Sequence, residues 1–301
     1  MSSLRRHLLL GLLAALSACG GAASGGREPA VSAPGWEEAA NATYAGIEES
    51  PVTLSDGGWD GEPFDPDGFA RPHVELVDGF WLAGDLQGDG TRTAVVLLSA
   101  SSGASGTDVY LAALARRGGA IADASTALVG NRVQVRDARI EGRRVVLDVV
   151  QAGPTDAMCC PGEKATRAFA FEGEALVEVD SRVTGRLSAG DLSGVEWVLV
   201  KLGGERAPAA PEVTFALDGT RVGGSAGCNP YFGEIRAGAT PGAISFGPLG
   251  ATKTACAEPA MALESRFLAA LAGTKKFAFV AGQLVLTSQQ GDALWFRPRP
   301  L

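Results

Sequence analysis

The chain has 301 residues and a formal net charge of −8, with 46% apolar and 20% charged residues. This composition is typical of a folded globular protein and excludes a largely disordered chain. The length suffices for two ordinary domains, and the acidic balance without a basic cluster disfavours nucleic acid, so no nucleic-acid partner is expected.

The first 18 residues are organised like a secretory signal peptide. Arg5 and Arg6 precede an apolar run at residues 8–16, which is shorter than the about 20 residues that span a bilayer. Residues 16–19 read Leu-Ser-Ala-Cys and match the bacterial lipobox, in which a diacylglyceryl group is attached to the cysteine. We therefore predict a palmitate-bearing lipoprotein anchored to a membrane through Cys19. The alternative is an ordinary signal peptide with a stray cysteine.

A tether is predicted at residues 19–39, because its first half is built largely of Gly, Ala and Pro and has nothing to bury. Residue 20 is Gly and not the Asp that usually retains Gram-negative lipoproteins in the inner membrane. In a Gram-negative host, this resembles the outer-membrane sorting pattern. The expected location is therefore the cell envelope, lipid-anchored at the outer membrane and facing the periplasm.

Residues 40–185 are predicted to form a mostly antiparallel β unit. Apolar runs at residues 94–98 and 145–150 have the length of buried strands. Glu-Gly pairs at residues 141–142 and 172–173 interrupt β-rich segments and indicate hairpin turns.

Residues 186–301 are predicted to form a second unit, an antiparallel sheet with one amphipathic helix packed on it. Apolar residues alternate at 213–217, and Asp218-Gly219 indicates a two-residue hairpin turn. From Pro259 the apolar spacing becomes helical, and Gly273 stands where a helix would end. The chain as a whole is therefore expected to be mainly β, or α+β, with two domains.

The second unit resembles the META domain, also called the HslJ-like domain. Residues 191–199 are similar to its opening strand, and residues 223–231 contain its Gly-Cys-Asn signature. Residues 252–256 are similar to its Thr-x-Met-Ala-Cys element, with Thr254 where the family usually has Met. Residues 284–286 and 294–296 are similar to its closing hairpin.

The resemblance implies a secreted or membrane-tethered bacterial protein connected with stress tolerance, motility or virulence, and without an established enzymatic activity. The first unit resembles more faintly a domain of uncharacterised bacterial lipoproteins. That resemblance depends on residues 41–44, 85–90 and 158–161 and implies no mechanism.

Four cysteines remain after Cys19, and an oxidising compartment favours disulfides among them. Cys228 and Cys256 lie in the two most distinctive segments of the META-like unit, and we predict that they pair. The rival possibilities are a bond from one of them to Cys159 or Cys160, or two buried free thiols. A zinc site is disfavoured because adjacent cysteines fit one tetrahedron poorly.

A weak calcium site is considered at Asp85, Gln87 and Asp89, because the segment resembles the start of an oxygen-ligand loop. The twelfth position of such a loop is Val96, which cannot supply the bidentate carboxylate. The favoured alternative is a plain Gly/Asp turn before a strand. No other cofactor is expected.

Enzymatic chemistry finds little support in the sequence. Residues 223–227 fit a Gly-x-Ser-x-Gly pattern, but no histidine follows Ser225 as a hydrolase triad requires. His73 is the sole histidine after the signal peptide and stands without a metal-binding neighbour.

The expected function is that of a non-enzymatic envelope lipoprotein that binds a protein, a lipid or a glycan. The alternative is a carboxylate-based hydrolase such as a glycosidase, which needs only a pair of Asp or Glu residues.

Overall fold

A computed structural model of the chain describes residues 32–103, 106–122 and 124–300. The predicted signal peptide, Cys19 and most of the tether lie outside these residues. Within the described part, no helix has the length and apolar character needed to cross a membrane.

The described residues of the N-terminal half form a short helix and fourteen strands. They are α1 (Trp36–Ala39), β1 (Thr43–Tyr44), β2 (Val52–Thr53), β3 (Gly58–Asp60), β4 (His73–Leu76), β5 (Leu82–Gly84), β6 (Thr93–Ser101), β7 (Asp108–Leu114), β8 (Arg116–Arg117), β9 (Ala120–Ile121), β10 (Ser125–Asn131), β11 (Gln134–Glu141), β12 (Arg144–Gln151), β13 (Glu163–Glu172) and β14 (Ala175–Arg186).

Two antiparallel sheets organise this half. One has the order β10-β7-β6-β4-β3, with β5 also paired to β6, and the other has the order β11-β12-β13-β14. Leu97 and Leu111 of the first sheet share a buried core with Leu147 and Phe169 of the second. The opposite face of the first sheet buries a second cluster around Tyr44. The predicted antiparallel β unit is therefore confirmed.

The folded part begins before residue 40, inside the predicted tether. Glu38 of α1 accepts a hydrogen bond from the Gly35 N–H at 2.8 Å and pairs with Arg116 at 2.6 Å, and Ala39 is fully buried. The partner Arg116 lies 78 positions away, so no local pattern indicated that this helix packs.

In the C-terminal half, the described residues up to 300 form a 3-10 turn, ten strands and one long helix. They are η1 (Ala189–Leu192), β15 (Val195–Leu202), β16 (Glu205–Arg206), β17 (Thr214–Asp218), β18 (Arg221–Ser225), β19 (Pro230–Ala237), β20 (Ile244–Phe246), β21 (Gly250–Ala251), α2 (Glu258–Gly273), β22 (Thr274–Val280), β23 (Gln283–Ser288) and β24 (Ala293–Pro300).

These strands form one antiparallel sheet whose main order is β20-β19-β18-β17-β15-β24-β23-β22. The sheet curls until its ends meet, where the Phe277 N–H donates to the Gly242 carbonyl at 2.8 Å. Helix α2 buries Leu263, Phe267 and Leu271 in the core of this half. The predicted helix between Pro259 and Gly273 and its packing on the sheet are therefore confirmed.

The predicted hairpin turns occur, but each begins one residue later than the sequence indicated. Asp218 pairs with Arg221, so the two-residue loop is Gly219–Thr220. Gly219 has a φ of +61°, whereas Thr220 has no positive φ, which is the pattern of a type II′ turn with glycine first. Hairpins β11–β12 and β13–β14 show the same shift. Glycine therefore opens each of these loops and the preceding acid still belongs to the strand.

Candidate functional site

The two halves are joined by hydrogen bonds between β11 and the β22–β23 hairpin. The Gly282 N–H donates to the Val135 carbonyl at 3.0 Å, and the Phe279 N–H donates to Gln134 Oε1 at 3.0 Å. The guanidinium of Arg136 lies over the Phe279 ring, 5.2 Å from its centroid. These contacts fix one strand edge of each half against the other.

A nearly buried ion cluster adds to this junction. Asp191 of η1 lies 2.6 Å from Lys164 Nζ and 3.2 Å from an Arg136 nitrogen, and only 8% of its side chain is exposed. Removal of both cations would leave the Asp191 carboxylate nearly buried without a compensating charge, which is costly. Val150 of the N-terminal half also packs into the C-terminal core. The surfaces on either side of the junction are therefore held in a defined arrangement.

A solvent-open cleft of about 850 Å³ lies at this junction. Its volume falls in the range of sites for small ligands, roughly 300–1,000 Å³. The N-terminal half contributes residues 78–82, 137 and 138, and the C-terminal half contributes residues 198–201, 206–209, 212, 281–283, 297 and 298.

The walls of the cleft combine an aromatic surface with charged side chains of both signs. Trp81 leaves 45% of its surface exposed. Lys201 pairs with Asp78 at 3.6 Å, and Arg297 pairs with Glu212 at 3.7 Å. All four charged side chains are at least 42% exposed, so they remain available to a ligand. The cleft therefore offers hydrogen-bond donors, acceptors and one large apolar face.

Sequence reasoning missed this cleft. Its residues come from seven separated stretches, and none of them carries a motif. One local signal existed: the Ala-Pro-Ala-Ala-Pro stretch at residues 207–211 cannot form a regular strand and reads as a loop. The structure places Pro208 and Ala209 of that loop on the rim of the cleft.

The Gly-Cys-Asn and Thr-x-Thr-Ala-Cys segments meet away from the cleft. The sulfurs of Cys228 and Cys256 are 2.03 Å apart and their Cα atoms 5.9 Å apart, within the range that a disulfide requires. Asn229, 1% exposed, accepts from Thr252 Oγ1 at 2.6 Å and from the Thr254 N–H at 2.8 Å. Its amide donates to the Thr254 carbonyl at 3.0 Å. This signature residue therefore joins two chain segments.

Helix α2 is fastened to the same cluster through Glu264, whose carboxylate accepts the Asn229 N–H at 2.7 Å. Thr254 takes part through its backbone, and its side chain is exposed. A threonine at this position therefore costs no apolar core contact. The most distinctive residues of the C-terminal half serve the fold and do not line the cleft.

The Asp85 loop has the geometry of a Gly/Asp turn. The two carboxylate oxygens of Asp85 accept the N–H groups of Gly88 at 2.6 Å and Gly90 at 3.0 Å, and these bonds lower the pKa of Asp85. Asp89 accepts the Thr91 N–H at 2.8 Å. Within the described residues, no three acidic, histidine or cysteine side chains cluster as metal ligands would. The calcium site at Asp85, Gln87 and Asp89 stays a prediction that chelation can test.

The remaining cysteines, Cys159 and Cys160, are bonded to each other. The loop that carries them is held by Asp156, which accepts the N–H groups of Gly153 and Gly162 at 2.8 Å. Hydrogen bonds from Arg186 and from these two glycines lower the pKa of Asp156 to about 2.

Ser225 and His73, the two residues considered for catalysis, are not arranged as members of a catalytic triad. Ser225 ends strand β18, and its hydroxyl accepts the Gly227 N–H at 3.2 Å, so it does not sit on a strand-to-helix turn. His73 lies on the surface, 2.8 Å from Asp60.

Fold and cleft together define a two-part, mainly β protein with an open cleft where its halves meet. Residues 190–300 match the META domain, and the C-terminal half of the chain is a META domain. A solved structure, the NMR structure of a protein from Burkholderia xenovorans, shares 29% identity. The match covers 36% of this chain and 83% of that one, with a TM-score of 0.31. No curated protein matches the chain.

Proposed function

We propose that this protein is a lipid-anchored binding protein of the bacterial cell envelope and that its cleft holds a glycan segment. The observation that carries the proposal is the half-exposed Trp81 in a cleft of about 850 Å³ whose rim bears both acids and bases. Sugars present apolar C–H faces and hydroxyl-bearing edges. An indole can cover such a face while carboxylates and guanidinium groups bind the hydroxyls.

The charge balance of the cleft favours a glycan over the other envelope ligands. An acyl chain offers no polar atoms to the charged side chains of the cleft, such as Lys201 and Glu212. Burying charged groups against hydrocarbon is costly. A strongly anionic ligand would meet the carboxylates of Asp78, Asp137 and Glu212, which all line the cleft. A neutral polar ligand uses both signs of charge.

We propose that binding occurs without catalysis. A general acid for glycoside hydrolysis needs a carboxyl whose pKa is raised. Hydrogen bonds lower the pKa of Glu38, Asp85 and Asp156. These three groups lie outside the cleft and are suited to structural roles.

The lipobox at residues 16–19 supports an anchor at Cys19, and Gly20 supports the outer membrane, facing the periplasm, in a Gram-negative host. The META domain supports a role in envelope maintenance or stress tolerance. A tether would let the cleft reach a polymer near the membrane.

The test is binding of soluble oligosaccharides, released from the host cell wall by a muramidase, to purified protein by calorimetry. Trp81→Ala should weaken binding at least tenfold. Leu128→Ala, an exposed apolar change outside the cleft, is the matched control and should leave binding unchanged. Cell-wall peptides without sugar, released by an amidase, should not compete. Binding that ignores Trp81, or that the peptides alone reproduce, would contradict the proposal.

A further inference from the structure

Strand β14 forms an open edge of the N-terminal half. It is the last strand of the sheet β11-β12-β13-β14, and in the described part of the chain no strand pairs with its outer side. Residues 178–184 are exposed without interruption. They include Val179 at 36% and Val183 at 58% exposure. Such an edge presents unpaired backbone groups to any second strand.

The side chains of this edge alternate between the two faces of the sheet. Asp180 and Arg182 pair with Ala168 and Thr166 of β13, whereas Ser181 pairs with Arg167 on the intervening position. The two charged side chains therefore share one face, and Ser181 belongs to the other. Proteins commonly protect an edge with charged side chains, prolines or bulges. Here the face with Asp180 and Arg182 carries one charge of each sign, while Glu178 is paired with Arg167 of β13.

The sequence Val-Asp-Ser-Arg-Val at residues 179–183 is complementary to itself in the antiparallel direction. A two-fold axis at Ser181 places Asp180 opposite Arg182 of the second copy, twice by symmetry. Val179 lies at a bulge, because Ala168 pairs with Asp180 and Phe169 pairs with Glu178, so the regular self-complementary stretch is residues 180–182. Opposite charges that face each other across antiparallel strands stabilise the pairing.

We infer that β14 is a self-association edge and that its partner is a second copy of this chain. The two strands pair antiparallel about Ser181, and the two four-stranded sheets become one continuous sheet. The outward-facing main-chain groups around Ser181 then find partners, whereas the inward-facing groups are already paired with β13. The interface is independent of the cleft and of its ligand.

Disulfide trapping of the full-length protein in host membranes tests this register. Ser181→Cys places two sulfhydryl groups at the axis, where opposite Cα atoms are about 4.5–5.5 Å apart, a distance that a disulfide spans. Thr184→Cys is the matched control on the same exposed strand. Its two copies would be six residues apart, about 20 Å at 3.4 Å per residue. Non-reducing electrophoresis should show at least tenfold more dimer for Ser181→Cys.

Charge reversal in the Ser181→Cys background distinguishes dimers formed through this strand pairing from dimers formed by random collision of two copies. Asp180→Arg alone, or Arg182→Asp alone, places like charges opposite each other and should reduce the dimer several-fold. The double variant Asp180→Arg/Arg182→Asp restores opposite charges and should restore the dimer. Equal trapping of the Ser181→Cys and Thr184→Cys variants, or a double variant that fails to recover while melting like the wild type, would overturn the inference.

Discussion

Replacement of Asn229 by alanine tests whether the hydrogen bonds between Asn229 and residues 252–254 stabilise the fold. The Asn229 side chain makes three short hydrogen bonds to the segment at residues 252–254 and is 1% exposed. A net loss of about 0.5–1.5 kcal/mol for each bond gives a decrease of about 2–4 kcal/mol in the free energy of unfolding. At about 2–4 °C per kcal/mol for a protein of this size, Tm should fall by about 5–15 °C.

The assay is thermal unfolding followed by far-UV circular dichroism, with thiols counted to show that the Cys228–Cys256 bond is intact. The control is Asn131→Ala, which removes one exposed hydrogen bond to Asp108 and should change stability by no more than about 0.5 kcal/mol. Equal effects of the two variants would refute the reasoning, because the cluster around Asn229 would then contribute no more than a surface contact.

Three further outcomes follow from the same reasoning. The double variant Cys228→Ser/Cys256→Ser opens a loop of 28 positions and should lose about 3–4 kcal/mol in denaturant unfolding; recovery of both residues as free thiols from the wild type would contradict the bond. Cys19→Ser should abolish labelling by radioactive palmitate and release the protein from membranes; unchanged membrane binding would exclude the lipobox. The lowered pKa of Asp156 stabilises the fold above pH about 4, and this contribution to the free energy of unfolding should disappear as pH falls towards 2. The variant Asp156→Asn should lose less stability over this range, and the same pH dependence in variant and wild type would contradict the role of Asp156.

Secondary structure could be predicted where its signals lie in neighbouring residues. The helix from Pro259 to Gly273 follows from an apolar spacing of three to four residues and its end signals. The Cys228–Cys256 pairing followed from a family resemblance, which fixes distant positions that spacing alone does not. The turns were displaced by one residue because an Asp-Gly pair fits two loop registers, and backbone φ at Gly219 decides between them.

The cleft and the junction could not be read from the sequence, because they depend on contacts between distant residues. Trp81 and Arg297 are more than 200 positions apart and line one cleft only because the two halves pack in one arrangement. That arrangement depends on Asp191, which pairs with Lys164 and Arg136 across the junction. Each of these residues, taken alone, resembles an ordinary surface charge or aromatic residue.

The most direct test of the proposed function is calorimetric titration of the purified protein with muramidase-released cell-wall oligosaccharides, repeated with Trp81→Ala and with Leu128→Ala. If the cleft binds a glycan, the wild type shows saturable binding, Trp81→Ala weakens it at least tenfold, and Leu128→Ala leaves it unchanged. Equal binding by all three proteins, or no binding by the wild type, would contradict the account.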